Sequence, residues 1–207
     1  NCLKESGAKH AIMAGQIAPK NLFDLRPDVK ALLMLAKIPK RNAESLFGAI
    51  AKAIEDVGVE VLQATTFLEE HLASEGHIAG PKLSTREEED VHYGHHIAKE
   101  VSRLDIGQTV VVKNGTVLAV EAFEGTNEAI ARGGALGNGG ATMVKVSKPN
   151  QDLRFDVPVI GPATLQKAAD AKLRTIAVEA GKTLILDREE TAAIAVKAKI
   201  TIFGVKS

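Results

Sequence analysis

The chain has 207 residues, 26 Lys and Arg against 26 Asp and Glu, 45% hydrophobic and 25% charged residues. These are the proportions of a globular protein long enough to bury a sizeable core in one or two domains. Zero formal charge denies it the basic footprint of a nucleic-acid binder, and 3% aromatic residues with no Trp deny it a base-stacking platform.

The one cysteine, Cys2, has no intramolecular disulfide partner and reads as a structural thiol. No apolar run reaches the ~18 residues of a membrane span, and NCLKESGAKH has no apolar signal core. The cytoplasm is the expected compartment.

Residues 1–8 read as the tail of a helix closed by Gly7, and HAIMAG (10–15) as a buried parallel strand. A loop with Pro19 and Pro27 follows, then a helix over 29–38 stopped by Pro39. Asn42 is placed to cap a second helix with Leu46, Ile50, Ala53, Ile54 and Val57 on one face, and VEVLQA (59–64) returns as a strand. This order predicts an α/β fold with parallel pairing. A doubly wound domain normally opens with a further strand–loop–helix, so the N-terminal domain is expected to lack that part. The expected division is 1–78, a linker at 79–85, and a mixed α/β domain over 86–207.

Thr85 and Glu88 have capping-box spacing and open a helix to about residue 102. Lys113-Asn114-Gly115 marks a hairpin within 108–122. A helix over EGTNEAIARGG (124–134), a glycine-rich patch at 133–141 that reads as a flexible loop or active-site cover, strands at 142–148 and 152–160 and a helix near 162–172 follow. A strand at TIAVEAG, a hairpin-like KTLIL, a helix at 188–198 and a strand at 200–205 complete the chain.

The strongest chemical constellation is KPNQDLRFDVP (148–158). In an extended chain Asp152, Arg154 and Asp156 share one face. Two carboxylates flanking an arginine can hold a divalent ion and a phosphate oxygen together, and Lys145 and Lys148 lie just upstream. The same pattern also fits the solvated face of an edge strand.

In VEAFEGTNEA (120–129), Glu121 closes a strand and Glu124-Gly125-Thr126 turns into a helix, whose free N–H groups favour an anion. A capping turn with Thr126 at the N-cap is the plain alternative. In AGQIAPKNLFDLRPD (14–28), Gly15 ends a parallel strand, where open α/β sheets bind ligands, although no G-x-G-x-x-G is present. Arg26 and Asp28 there also read as loop charges. His92 and His96 have the i,i+4 spacing that zinc sites use, but no H-E-x-x-H accompanies them, and a polar helix face accounts for them.

Taken in order, AGQIAPKNLFDLRPD, LDIGQTVVVKNGTVLAVEAFEGTNEAI, MVKVSKPNQDLRFDVPVIGPATL and IAVEAGKTLIL resemble the UDP-2,3-diacylglucosamine pyrophosphatase family of the LpxI type, over nearly the whole chain. The resemblance implies a Rossmann-like N-terminal domain and a C-terminal α/β domain with substrate held between them. It implies Mg²⁺-dependent hydrolysis of UDP-2,3-diacylglucosamine to UMP and 2,3-diacylglucosamine 1-phosphate (lipid X), a step of lipid A biosynthesis.

On that reading Asp152 and Asp156 are the metal and catalytic candidates, supported by Glu121 and Glu124. Lys145, Lys148 and Arg154 neutralise pyrophosphate, Gln151 and Thr126 donate neutral hydrogen bonds, and Gly15, Arg26 and Asp28 face the uridine or sugar. Peripheral contact with the inner membrane follows from the amphipathic substrate, and a homodimer is compatible with the reading. The competing expectations are a binding protein that holds such a ligand without cleaving it, and an enzyme of water-soluble UDP-sugars.

Overall fold

The computed structural model describes residues 2–15 and 43–206. The proline-containing loop with Arg26 and Asp28, and the helix expected over 29–38, lie outside the described residues. The chain divides into two compact units, Asn1–Phe67 with Asp152–Val157, and Leu68–Gln151 with Pro158–Ser207.

In the first unit, α1 (Cys2–Ser6) ends at Gly7, whose φ of 70° admits the turn into β1 (His10–Ala11). The amphipathic helix α2 (Ala43–Glu55) buries Leu46 and Ala51, and Gly58 turns the chain into β2 (Glu60–Val61). β1 and β2 pair in parallel, His10 opposite Glu60. The segment 152–157 joins this unit through its backbone and a ring. The Ala64 N–H donates to the Leu153 carbonyl at 2.8 Å, and Phe155 stacks on Phe47 with centroids 5.7 Å apart.

The second unit is built on a six-stranded sheet. Its strands are β3 (Gly76–Ala79), β4 (Thr109–Lys113), β5 (Thr116–Val120), β6 (Thr142–Lys145), β8 (Thr175–Glu179) and β10 (Thr201–Val205), in the order β3-β10-β8-β6-β4-β5. β6, β8 and β10 run parallel, while β3, β4 and β5 complete the sheet in antiparallel pairings. Both faces are covered, which is why these strands read as near-continuous apolar runs.

Alternation along each strand divides the core. Val110, Val112, Val144 and Ala177 meet Val91 and Ala98 of α3 (Thr85–Arg103). Val111, Met143, Ile176 and Ile202 face the other way. They pack with Ile130 of α4 (Thr126–Gly137), Leu165 of α5 (Pro162–Asp170) and Ala195 of α6 (Arg188–Ala198). The fold is α/β, and this unit has three layers.

Several elements correct the sequence reading. The capping box of α3 is Ser84 with Glu87, one residue earlier than Thr85 with Glu88. Gly133, Gly134 and Gly137 are buried helical residues of α4, because a Cβ on Gly133 would stand 2.5 Å from the Val111 side chain and one on Gly134 would stand 2.4 Å from the Ala171 carbonyl. The glycine-rich stretch is therefore close helix packing for most of its length. KTLIL forms no hairpin: β9 (Leu184–Ile185) pairs in parallel with β7 (Val159–Ile160). Cys2 is exposed rather than packed.

The Asn114-Gly115 turn stands where it was expected, with φ of 51° and 70°. Asp90, only 5% exposed on α3, accepts from the N–H groups of Asn114 and Gly115 at 2.8 Å each. One carboxylate thus ties helix to hairpin. Asp90→Ala strips two turn amides of their acceptor and should cost about 1–3 kcal/mol. A denaturant melt that moves by less than a few tenths of a kcal/mol contradicts that role.

Candidate functional site

The register of the sheet gathers polar groups at one edge. Thr109 stands opposite Lys145, Val110 opposite Val120, and Lys145 opposite Val178. The carboxyl ends of β5, β6, β8 and β10 and the start of β4 therefore share that edge, which is where open α/β sheets carry ligands. Glu121, Lys145, Ser147 and Glu179 all leave the sheet there.

Three of the expected residues meet at this edge. Thr126, the first residue of α4, donates its hydroxyl to Glu121 Oε1 at 2.7 Å and accepts from Lys145 Nζ at 2.9 Å. The N-cap is Gly125, with φ of 88°, so Thr126 is left to bridge the glutamate and the lysine instead of capping. Glu121 Oε2 is buried with no hydrogen-bond partner among the described residues.

Glu124 is engaged differently. Its carboxylate takes Arg132 at 2.5 Å and the Ala122 N–H at 3.2 Å. Its own backbone N–H first, then Arg132, hold its pKa below the usual glutamate range.

After β6 the chain forms a loop. Lys148 pairs with Asp105, and its backbone N–H donates to Gln151 Oε1 at 2.6 Å. Gln151 Nε2 is buried without a partner among the described residues. Buried polar atoms are nearly always satisfied, so two orphans within one candidate set are informative.

Within the first unit, Asp152, Arg154 and Asp156 do not alternate along a strand as expected. The N–H groups of Phe155 and Asp156 both donate to the Asp152 carbonyl, at 3.2 and 3.0 Å, which wraps the segment into a turn. The next strand begins only at β7. The reason is local: the Asp152 carboxylate accepts the Arg154 N–H at 3.1 Å, an Asx-type contact that competes with a strand.

The same carboxylate takes the guanidinium through Nε at 2.9 Å and Nη2 at 2.7 Å, while Nη1 reaches Glu55 at 2.5 Å. The Arg154 hydrogen bond, working against burial, holds Asp152 below the usual aspartate range. Asp152, first, and Glu55 raise the pKa of Arg154. Gly15 is exposed, with φ of 127°, just beyond β1.

Residues 1–71 match the LpxI N-terminal domain and residues 74–203 the LpxI C-terminal domain. The chain belongs to the LpxI family. It is 32% identical to the UDP-2,3-diacylglucosamine pyrophosphatase LpxI of Caulobacter vibrioides, across 98% of this chain and 76% of that protein.

The resemblance described above implies a divalent cation. Among the described residues no group of three or more His, Cys, Asp or Glu forms a ready cage. The acidic turn supplies hard oxygen donors, one of them held ionised. Both Asp152 oxygens already accept from Arg154, so any cation there would take most of its shell from substrate phosphate and water.

Sequence reasoning overlooked one cluster. Glu179, at the end of β8, is fully buried. Its Oε2 accepts from the Ser147 N–H at 2.7 Å and from the Ser147 hydroxyl, and its Oε1 accepts from Lys99 Nζ at 2.9 Å, with His95 Nε2 at 3.4 Å. Burial alone would raise its pKa, but His95, Ser147 and Lys99 together drive it well below the usual range. The only sequence signal was a charged residue ending an otherwise apolar parallel strand.

The Asp152–Arg154 pair is the testable core of the turn. A carboxylate with a depressed folded pKa adds stability above its unfolded pKa, and that contribution is lost as pH falls through the folded value. Arg154→Gln should return the Asp152 carboxyl to the ordinary aspartate range in a carbon-detected NMR titration and weaken the acid limb of the stability curve. An unmoved Asp152 titration contradicts the pairing.

Proposed function

We propose that this chain hydrolyses the pyrophosphate bond of UDP-2,3-diacylglucosamine, giving UMP and 2,3-diacylglucosamine 1-phosphate, in lipid A biosynthesis. The observation that carries this is the match of both halves of the chain to the LpxI domains, together with the relative that bears this activity in its name. The chemistry of the candidate residues supports it.

A pyrophosphate carries negative charge that rises on the leaving oxygen as the anhydride breaks, so fixed cations lower the barrier. Arg154 is oriented by two carboxylates, and Lys145 by the Thr126 and Thr109 hydroxyls at 2.9 and 3.5 Å. Lys148 is steadied by Asp105. Pre-oriented groups of this kind lose little freedom when an anion arrives.

Gln151 Nε2 offers a donor to a phosphate or sugar oxygen. Glu121 Oε2 offers an acceptor to a substrate hydroxyl or a water. Asp152 and Asp156 would hold the divalent cation, which when bound neutralises pyrophosphate charge and lowers the pKa of a water. Asp152 stays ionised across the physiological range, so it can accept a hydrogen bond from an attacking water. Glu124, Gly15, Arg26 and Asp28 belong to the same proposal as supporting residues.

We read the first unit as part of a Rossmann-like domain, supported by the parallel β1–β2 pair. No described helix is long and apolar enough to cross a membrane. Contact with the inner-membrane surface from the cytoplasmic side is part of the proposal, because substrate and product carry acyl chains.

The purified chain should release UMP from UDP-2,3-diacylglucosamine with Mg²⁺ and cease when a chelator is added. Asp152→Ala should lower turnover by about 10²–10⁴-fold with substrate affinity largely kept. Near-normal hydrolysis by that variant refutes the assignment of Asp152. Faster turnover of water-soluble UDP-sugars refutes the lipid substrate.

A further inference from the structure

We infer that Glu179 is a positioning residue that sets the course of the substrate-contacting loop at 147–151. The inference rests on the reading above that Lys148 and Gln151 meet the substrate.

The argument begins with the cost of the arrangement. A fully buried carboxylate is expensive unless every lone pair is used, and an apolar residue of similar size would generally be as stable or more so. Here the contacts converge on Ser147. Glu179 takes both the backbone N–H and the hydroxyl of Ser147, while Lys99 Nζ donates to the Ser147 carbonyl at 2.8 Å and to Glu179 at 2.9 Å. Backbone donor, backbone acceptor and side chain of one residue are therefore all fixed by other elements.

Ser147 is the point where this matters. β6 ends at Lys145, and the Val146 N–H still donates to the Gln108 carbonyl at 2.9 Å. Beyond it, the Glu179–Lys99 clamp takes the place of the sheet ladder. The next residue is Lys148, whose N–H is tied to Gln151. Rotating the Ser147 backbone would swing Lys148 and the Gln151 amide together, including its Nε2, which has no partner among the described residues. His95 and Lys99 stand one helical turn apart on α3, so a helix on one face of the sheet reaches the loop through a glutamate from the neighbouring strand. None of Glu179, Lys99 or His95 needs to touch substrate for this.

Glu179→Gln keeps the shape but places an amide where the carboxylate faces several donors, so at least one donor loses its acceptor. A variant that is merely unstable loses active molecules, which lowers kcat at an unchanged KM. A displaced binding loop raises KM in the molecules that remain folded.

With the full chain, Mg²⁺ and UDP-2,3-diacylglucosamine, at a temperature where circular dichroism shows the variant folded, Glu179→Gln should raise KM about tenfold. Lys148→Ala should also raise KM, and the double variant should fall well short of the product of the two effects. Lys99→Met tests the same clamp from its partly exposed end, should the Glu179 variant not fold, with KM up about threefold. If Lys148→Ala raises KM while Glu179→Gln or Lys99→Met leaves it unchanged, the positioning role is overturned and the site reading stands. If Lys148→Ala and Gln151→Ala both leave KM unchanged, the site reading falls, and the positioning role falls with it.

Discussion

The structure of the larger unit depends on one constraint: its sheet is buried on both faces. Residues that point up from β4, β6 and β8 meet α3, and those that point down meet α4, α5 and α6. Polar chemistry is expelled from both faces and is left to the strand ends. Strand register then decides which polar residues meet, and it brings Glu121, Thr126, Lys145, Ser147 and Glu179 to the carboxyl edge of the parallel strands. A shift of one residue would turn Val144 and Ala177 to the wrong layer, so the core and the polar edge are specified by the same pairing.

The smaller unit solves a similar problem in a few residues. Arg154 is drawn in two directions by Asp152 and Glu55, and the backbone of Asp152 closes the turn around it. An arginine so held keeps a defined orientation without deep burial. The Arg154 hydrogen bond favours the charged form of Asp152, so each member of the pair holds the other in place.

Much of this was legible in the sequence, for identifiable reasons. The Asn114-Gly115 turn, the α3 helix and the apolar strands rest on short-range rules of turn chemistry, capping and periodicity. The turn at 152–156 was not legible, because alternating Asp, Arg and Asp fits a strand as well as an Asx-type turn. What decides between them is the Arg154 side chain folding back on Asp152 and finding Glu55, a partner about a hundred positions away in sequence. The helix was legible as far as Gly134, but its run to Gly137 was hidden because composition reads the glycine-rich patch as loop, whereas a Cβ on Gly137 would stand 2.8 Å from the Leu118 side chain. Glu179 was passed over because its partners come from α3 and from the end of β6, and only the folded sheet brings them within reach. Glu121, Lys145 and Thr126 were placed among the candidates, but their mutual contact follows from register that no short motif encodes.

The central proposal is that the turn from Asp152 to Asp156 receives the pyrophosphate. The most direct measurement is a crystal structure of the chain with UMP, lipid X and Mg²⁺. The account predicts phosphate oxygens within hydrogen-bonding distance of Arg154, and the cation bound to Asp152. Phosphates bound instead against Lys167 and Lys172, with the 152–156 turn bare, would contradict it.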